Sequence, residues 1–189
     1  MQKMVTTITE MIEQLSKEKK NLVVAIDGRC AAGKTTLATQ IEEKISCNVI
    51  HMDHFFLRQE QRTEERWNTP GENIDHERFL EEVLVPLKAG KIFSYRPYDC
   101  KQQCFSGEVT IYPKEISIVE GSYSCHRALW DYYDLRIFLT VSQEEQFCRI
   151  INRDGMERAE IFKNKWIPLE EKYFSTFEVA KQCDVCFET

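Results

Sequence analysis

Gly28-Arg29-Cys30-Ala31-Ala32-Gly33-Lys34-Thr35 has the residue types and spacing of a polyphosphate cradle, G-x-x-x-x-G-K-[ST]. Its glycines allow the tight turn that points successive backbone N–H groups at phosphate oxygens. Lys34 has the reach to follow the terminal phosphates, and the Thr35 hydroxyl is a hard oxygen ligand for magnesium. The loop lies between LVVAID, an apolar run rich in β-branched residues, and a segment with Leu37, Ile41 and Ile45 at helical spacing. A helix starting there adds unpaired N–H groups and the positive end of its dipole to the same anion site. With glycine near 7% of residues, four fixed positions should coincide by accident in only about one chain of this size in a hundred. The expected phosphate-binding set is Gly28, Ala31, Ala32, Gly33, Lys34, Thr35 and Thr36.

A phosphate cradle serves several kinds of nucleotide machine. The Asn-Lys-x-Asp and Asp-x-x-Gly patterns of a signalling GTPase do not occur, and ISIVEG ends in one acid rather than the paired acids of an assembly ATPase. Phosphoryl transfer to a small alcohol needs a base for the hydroxyl and cations that close over the moving group. Asp53, after the apolar patch NVIHM, is the expected base, because ligands of open parallel sheets bind just outside the carboxyl ends of the strands. Glu120 ends ISIVE and is placed to orient a magnesium-bound water. Arg149 and Arg153 stand four apart on one helix face, a spacing that suits a phosphate clamp on a lid. Strand-end acids that cap local backbone and a solvated charged face are the bland alternatives for these residues.

Stepping from these side chains to the elements that must carry them, strands are expected near 22–27, 48–52, 115–120, 135–140 and 183–187. Between them lie helical patterns. Met4, Ile8, Met11, Ile12 and Leu15 mark a first helix, and Phe79, Leu80, Val83, Leu84 and Leu87 mark one that begins near Asp75. Ser142 with Glu145 forms a capping box, and Gly155 stands where that helix would stop. Phe162, Trp166, Leu169, Tyr173 and Phe177 recur at helical spacing with Pro168 as a kink, and core packing is the expected role of these aromatics. IFSYRPYD and EVTIYP fit a small antiparallel excursion. Alternation of this kind predicts an α/β fold, a doubly wound five-stranded parallel sheet flanked by helices, as one domain over 1–189. An acceptor-side insertion is expected at about 53–112 and a lid at about 146–160.

Bulk composition narrows the partners. The chain has 189 residues, 42% hydrophobic and 30% charged, with 25 Lys plus Arg against 31 Asp plus Glu and a net charge of −6. No general basic field exists to hold nucleic acid. No segment approaches the roughly 18 apolar residues of a membrane span. MQKMVTTITEMIEQLSKEKK lacks an uninterrupted apolar core, so a cytoplasmic protein is expected. The eight cysteines sit mostly singly among apolar residues, as reduced thiols do. Cys183 and Cys186, three apart in an expected strand, point to opposite faces and cannot share one zinc ion.

Six short segments in order resemble the uridine kinase and phosphoribulokinase family of P-loop kinases: IDGRCAAGKTT, HMDHFF, NIDHERF, PYD, VTIYPKEISIVEG and RIINRD. The resemblance runs from about residue 20 to the end. It implies a P-loop NTPase fold, ATP with Mg2+ as phosphate donor, Asp53 as catalytic base, and Asp75 and Tyr98 beside the acceptor. It further implies Glu120 near magnesium and Arg149 and Arg153 in the lid, acting with Lys34. The implied partner is a small nucleoside-like acceptor, and a homo-oligomer is compatible with the pattern. The chain departs from uridine kinases at Gln103, where a histidine is usual, and at Gln146 and Ile150, where further lid arginines are usual. Uridine and cytidine are therefore expected to be poor acceptors. The competing class is a nucleotide-binding regulatory protein with weak ATPase activity, which would need no base at Asp53.

Overall fold

A computed structural model describes residues 1–189. The run after Asn21 forms the central strand because it can be buried on both faces. Helix α1 (Gln2–Ser16) leads into strand β1 (Leu22–Gly28), which is buried along its whole length. Helix α2 (Lys34–Glu42) and strand β2 (Asn48–His51) follow. Pairing is parallel throughout a five-stranded sheet in the order β2-β7-β1-β8-β9, completed by β7 (Ile116–Glu120), β8 (Leu135–Thr140) and β9 (Val185–Glu188). The α/β P-loop architecture expected from the sequence is the one observed.

Alternation along β1 divides the core into two layers. Leu22, Val24 and Ile26 pack with Ile8 and Ile12 of α1 and Leu37 and Ile41 of α2. Val23 and Ala25 face the other way, into a layer with Phe55, Phe79, Val83, Leu129 and Tyr173. Each fully buried Leu, Ile or Phe stabilises the fold by about 1.5–3 kcal/mol, so these two layers fix where β1 ends and the phosphate loop begins.

Between β2 and β7 the chain leaves the sheet. A 3-10 turn, Met52–Phe55, is followed by the short helix α3 (Glu64–Asn68) and by helical residues 76–88, comprising α4 (His76–Phe79), a π turn (Leu80–Leu84) and α5 (Val85–Lys88). Asp75 begins this helix as expected, its Oδ1 accepting the Arg78 N–H at 3.2 Å. Strand β3 (Phe93–Tyr95) pairs antiparallel with β6 (Val109–Ile111), and β4 (Tyr98–Asp99) with β5 (Cys104–Phe105). The insertion expected at about 53–112 thus contains helical turns as well as antiparallel strand pairs.

The lid follows β8. Helix α6 (Gln143–Asp154) is capped by Ser142, whose Oγ accepts the Glu145 N–H at 3.2 Å. The Glu145 carboxylate bonds Arg149 at 2.8 Å, which takes it away from the reciprocal half of a capping box. Gly155 (φ 84°) ends the helix, and α7 (Met156–Ile161), a π turn (Phe162–Trp166) and α8 (Ile167–Thr176) continue the chain. The short α9 (Val179–Gln182) leads into β9, which starts at Val185 and excludes Cys183. No helix is long and apolar enough to cross a membrane.

Candidate active site

The phosphate loop closes over the end of β1. Gly28 has φ 136°, and a Cβ there would lie 1.9 Å from the Leu139 carbonyl oxygen, so only glycine lets β1 and β8 approach this closely. Gly33 (φ 88°) precedes the first residue of α2, and Ala31 (φ 60°) is also left-handed. Lys34 is buried, its Nζ donating to the carbonyls of Gly28 at 2.7 Å and Arg29 at 2.9 Å and lying 3.4 Å from Ser122 Oγ. The loop already holds one anion: the Cys30 N–H donates to Glu170 Oε2 at 3.0 Å. N–H groups, a lysine and an anion-accepting turn fit a nucleotide polyphosphate.

Register places the next group. Glu120 ends β7 opposite Ile26 of β1 and His51 of β2, so the Glu120 and His51 side chains project to the same side. His51 Nδ1 is 2.5 Å from Glu120 Oε1, and the Thr35 hydroxyl lies 3.1 and 3.2 Å from the two carboxylate oxygens. That hydrogen bond to Glu120 raises the His51 pKa, against burial. Thr35 and Glu120 form a hard-oxygen pair at the mouth of the loop, a donor set that fits magnesium.

Asp53 lies two residues past the end of β2, in the 3-10 turn, and opens into the cavity that Lys34, Thr35 and Glu120 also line. The cavity is about 700 Å³. Protein surrounds the Asp53 carboxylate closely even though it meets solvent. Burial raises its pKa, Lys34 opposes that rise, and the charges of Glu120 and Glu170 add to it. A carboxylate with a raised pKa is a stronger base for proton abstraction than an ordinary aspartate.

Helix α6 meets the phosphate loop through Arg149. Arg149 Nη1 donates to the Ala31 carbonyl at 3.2 Å and to Thr189 Oγ1 at 2.9 Å. Arg153 pairs with Asp154 at 2.8 Å and stacks over Phe162. Both arginines line the cavity. Gln146 and Ile150 have a packing explanation. Gln146 is buried, bonding the Cys30 carbonyl at 3.0 Å, and Ile150 packs with Cys30 and Ala159, so an arginine at either place would bury an unpaired charge.

Neither Asp75 nor Tyr98 lines this cavity, contrary to the expectation of an acceptor wall built from them. Asp75 is buried, capping α4 and accepting from Gln61 Nε2 at 2.8 Å; Tyr98 is buried with its ring edge-on to Phe105. The Asp-His-Glu-Arg run is thereby a helix start, and the β4–β5 hairpin turns its Gln103 end outward to solvent. Arg62, Trp67, Asn73, Cys100, Phe162 and Trp166 line the cavity instead. Trp166 and Phe162, expected as core aromatics, face the cavity because the π turn rotates them off the α8 stripe that buries Tyr173.

Sequence reading also left Asp27 and Arg29 without roles. Asp27 is wholly buried beneath the loop, accepting from the N–H groups of Gly28, Tyr123 and Cys125 and from the Tyr173 hydroxyl at 2.7–3.0 Å. Arg29 grips Glu171 at 2.7 and 3.1 Å, next to the Glu170–Cys30 bond. Helix α8 is therefore fastened to the phosphate loop by Tyr173, Glu171 and Glu170. The only sequence signal for this was the polarity of Glu170 and Glu171 amid an aromatic stripe.

With this geometry in view, the model of the phosphoribulokinase / uridine kinase family matches residues 23–164. A uridine kinase of Lactococcus lactis subsp. cremoris is 30% identical over 155 residues, covering 74% of this chain and 72% of that protein. A uridine kinase of Ligilactobacillus salivarius is 28% identical over 154 residues, covering 76% and 71%. The solved structure of a possible uridine kinase from Bacillus stearothermophilus superposes with a TM-score of 0.66 at 24% identity, covering 96% of this chain and 99% of that one. At that identity the superposition speaks for the fold.

Proposed function

We propose, from the premise that this chain belongs to the phosphoribulokinase / uridine kinase family, that it is an ATP-dependent kinase for a hydroxyl of a small nucleoside-like metabolite. The observation that carries the reading is the convergence of Asp53, Lys34, Thr35, Glu120, Arg149 and Arg153 on one cavity. A nucleotide-binding regulator needs the phosphate loop but gains nothing from a carboxylate open to the same space.

In this reading the loop N–H groups and Lys34 hold the donor phosphates, and Thr35 with Glu120 holds magnesium. That ion, when bound, neutralises charge on the phosphate oxygens. Asp53 accepts the proton of the acceptor hydroxyl as that hydroxyl's oxygen bonds to the terminal phosphorus of ATP, whose bond to the bridging oxygen breaks to release ADP. Arg149 and Arg153 stabilise the charge spread over the phosphoryl oxygens, a role worth most in the transition state. Trp67, Phe162 and Trp166 keep bulk water from the transferring group.

The test is ATP consumption with magnesium across a panel of nucleosides and related alcohols, with Lys34→Ala as control. One acceptor that strongly stimulates turnover, with activity lost in the variant, is expected. A slow ATPase indifferent to every acceptor would favour the regulatory class instead.

A further inference from the structure

Arginines recur every four residues at 58, 62 and 66, in a segment that gives Phe56, Leu57, Arg62 and Trp67 to the cavity lining. Arg58 is paired with Glu60 at 3.2 Å, and Arg66 with Glu72 and Glu77 at 3.0 Å each. Of the other arginines that line the cavity, Arg149 is paired with Glu145 and Arg153 with Asp154, each at 2.8 Å. Arg62 lines the cavity without a carboxylate partner. The nearby Asp75 is committed to Gln61 and to its helix cap.

Arg62 is also aimed. Its Nε donates to the Leu57 carbonyl at 3.0 Å, which fixes the plane of the guanidinium, and Nη2 meets only the Cys100 thiol at 3.9 Å. A thiol is a weak acceptor, so both terminal nitrogens keep donors for a ligand. The planar fork matches a carboxylate or phosphate in two parallel hydrogen bonds, and its backbone anchor reduces the ordering cost of making them. Arg62, Cys100 and Asp53 line the same cavity, which puts the fork and the carboxylate in one space.

We infer that Arg62 determines acceptor specificity and that the acceptor carries an anionic carboxylate or phosphate besides the hydroxyl presented to Asp53. This rests on the kinase reading above and narrows it: a nucleoside-like acceptor here is one bearing an anion.

Matched acceptors differing only in charge test the idea: uridine 3′-phosphate against uridine, ribose 5-phosphate against ribose, and glycerate against glycerol. The first two pairs report a phosphate and the third a carboxylate. In the wild type, the anionic member of the productive pair should have the higher kcat/KM by roughly 10- to 100-fold, the strength of charge-assisted hydrogen bonds. Arg62→Gln should bring that ratio toward one, and Arg62→Lys should restore part of it. A general folding defect lowers both members alike and leaves the ratio standing. Preference for the neutral members, or a ratio insensitive to Arg62→Gln, overturns the inference. Quenching of tryptophan fluorescence by glycerate, ribose 5-phosphate and uridine 3′-phosphate separates the two readings. Binding that depends on Arg62 without any turnover would support the anion site and sink the kinase. Absence of both turnover and Arg62-dependent binding would sink the inference itself.

Discussion

Asp53→Asn should slow the chemistry while making the protein more stable, a combination that a merely structural residue would not produce. The exchange conserves shape. The carboxylate takes no hydrogen bond from the protein, and only burial and neighbouring charges shift its pKa, so the amide forfeits no partner. The folded-state pKa lies above the ordinary 3.8, so above that range the fold holds the ionised form at a cost, and stability falls as pH rises through the raised value. A neutral amide removes the cost, so the melting temperature at pH 7 should rise slightly. The rate should fall, because a positioned general base contributes about 10²- to 10⁴-fold, equivalent to about 3–5 kcal/mol of barrier. A coupled assay of ADP release at saturating acceptor should show kcat down by roughly 100-fold or more, with the ATP KM within about twofold. The acid limb of the wild-type rate should also lie above the usual carboxylate range. Near-normal kcat in Asp53→Asn refutes the base, and a lowered melting temperature refutes the electrostatic argument.

Three further perturbations follow from particular contacts. Tyr173→Phe removes the buried hydroxyl that donates to Asp27 at 3.0 Å and should lower stability by about 1–3 kcal/mol, read from the denaturant midpoint; an unmoved midpoint would deny the anchor beneath the loop. Arg153→Ala should lower kcat with little change in ATP KM, whereas Arg149→Ala should also raise that KM, because Arg149 braces the Ala31 carbonyl. Equal effects on both constants in the two variants would contradict this division. His126 is buried, and desolvation followed by the charge of His76 lowers its pKa from 6.5 to about 3, so its contribution to stability is complete above 6.5 and lost as pH falls toward 3. Its Nδ1 accepts the Ala128 N–H, which an asparagine oxygen can replace, so His126→Asn should cut the stability lost between pH 7 and 5 by about 2 kcal/mol. An unchanged pH dependence would show that His126 does not titrate in this range.

Much of the phosphate-loop side of the site was legible because it depends on near neighbours. The strand–loop–helix around Gly28 and Lys34, the Asp75 and Ser142 caps, and the stop at Gly155 are set by residues within about four positions of one another, the range over which hydrogen bonds close a helical turn. Strands β1, β7 and β8 were legible for a similar reason, since a strand buried on both faces reads as a continuous apolar run. Pairing across the fold was not. Strand order placed His51 against Glu120, and the layer around Tyr173 brought Asp27 under the loop from a residue 146 positions away. Sequence spacing put Phe162, Trp166 and Tyr173 on one stripe, but a π turn sent the first two to the cavity and left Tyr173 in the core. Asp75 and Tyr98 went the other way, the carboxylate into a helix cap and the ring against Phe105, while Arg62, Trp67 and Cys100 lined the cavity. A side chain's type and spacing determine what it can do locally; which cavity it reaches depends on packing between distant elements, where burial and close fit select among faces that the sequence leaves equivalent.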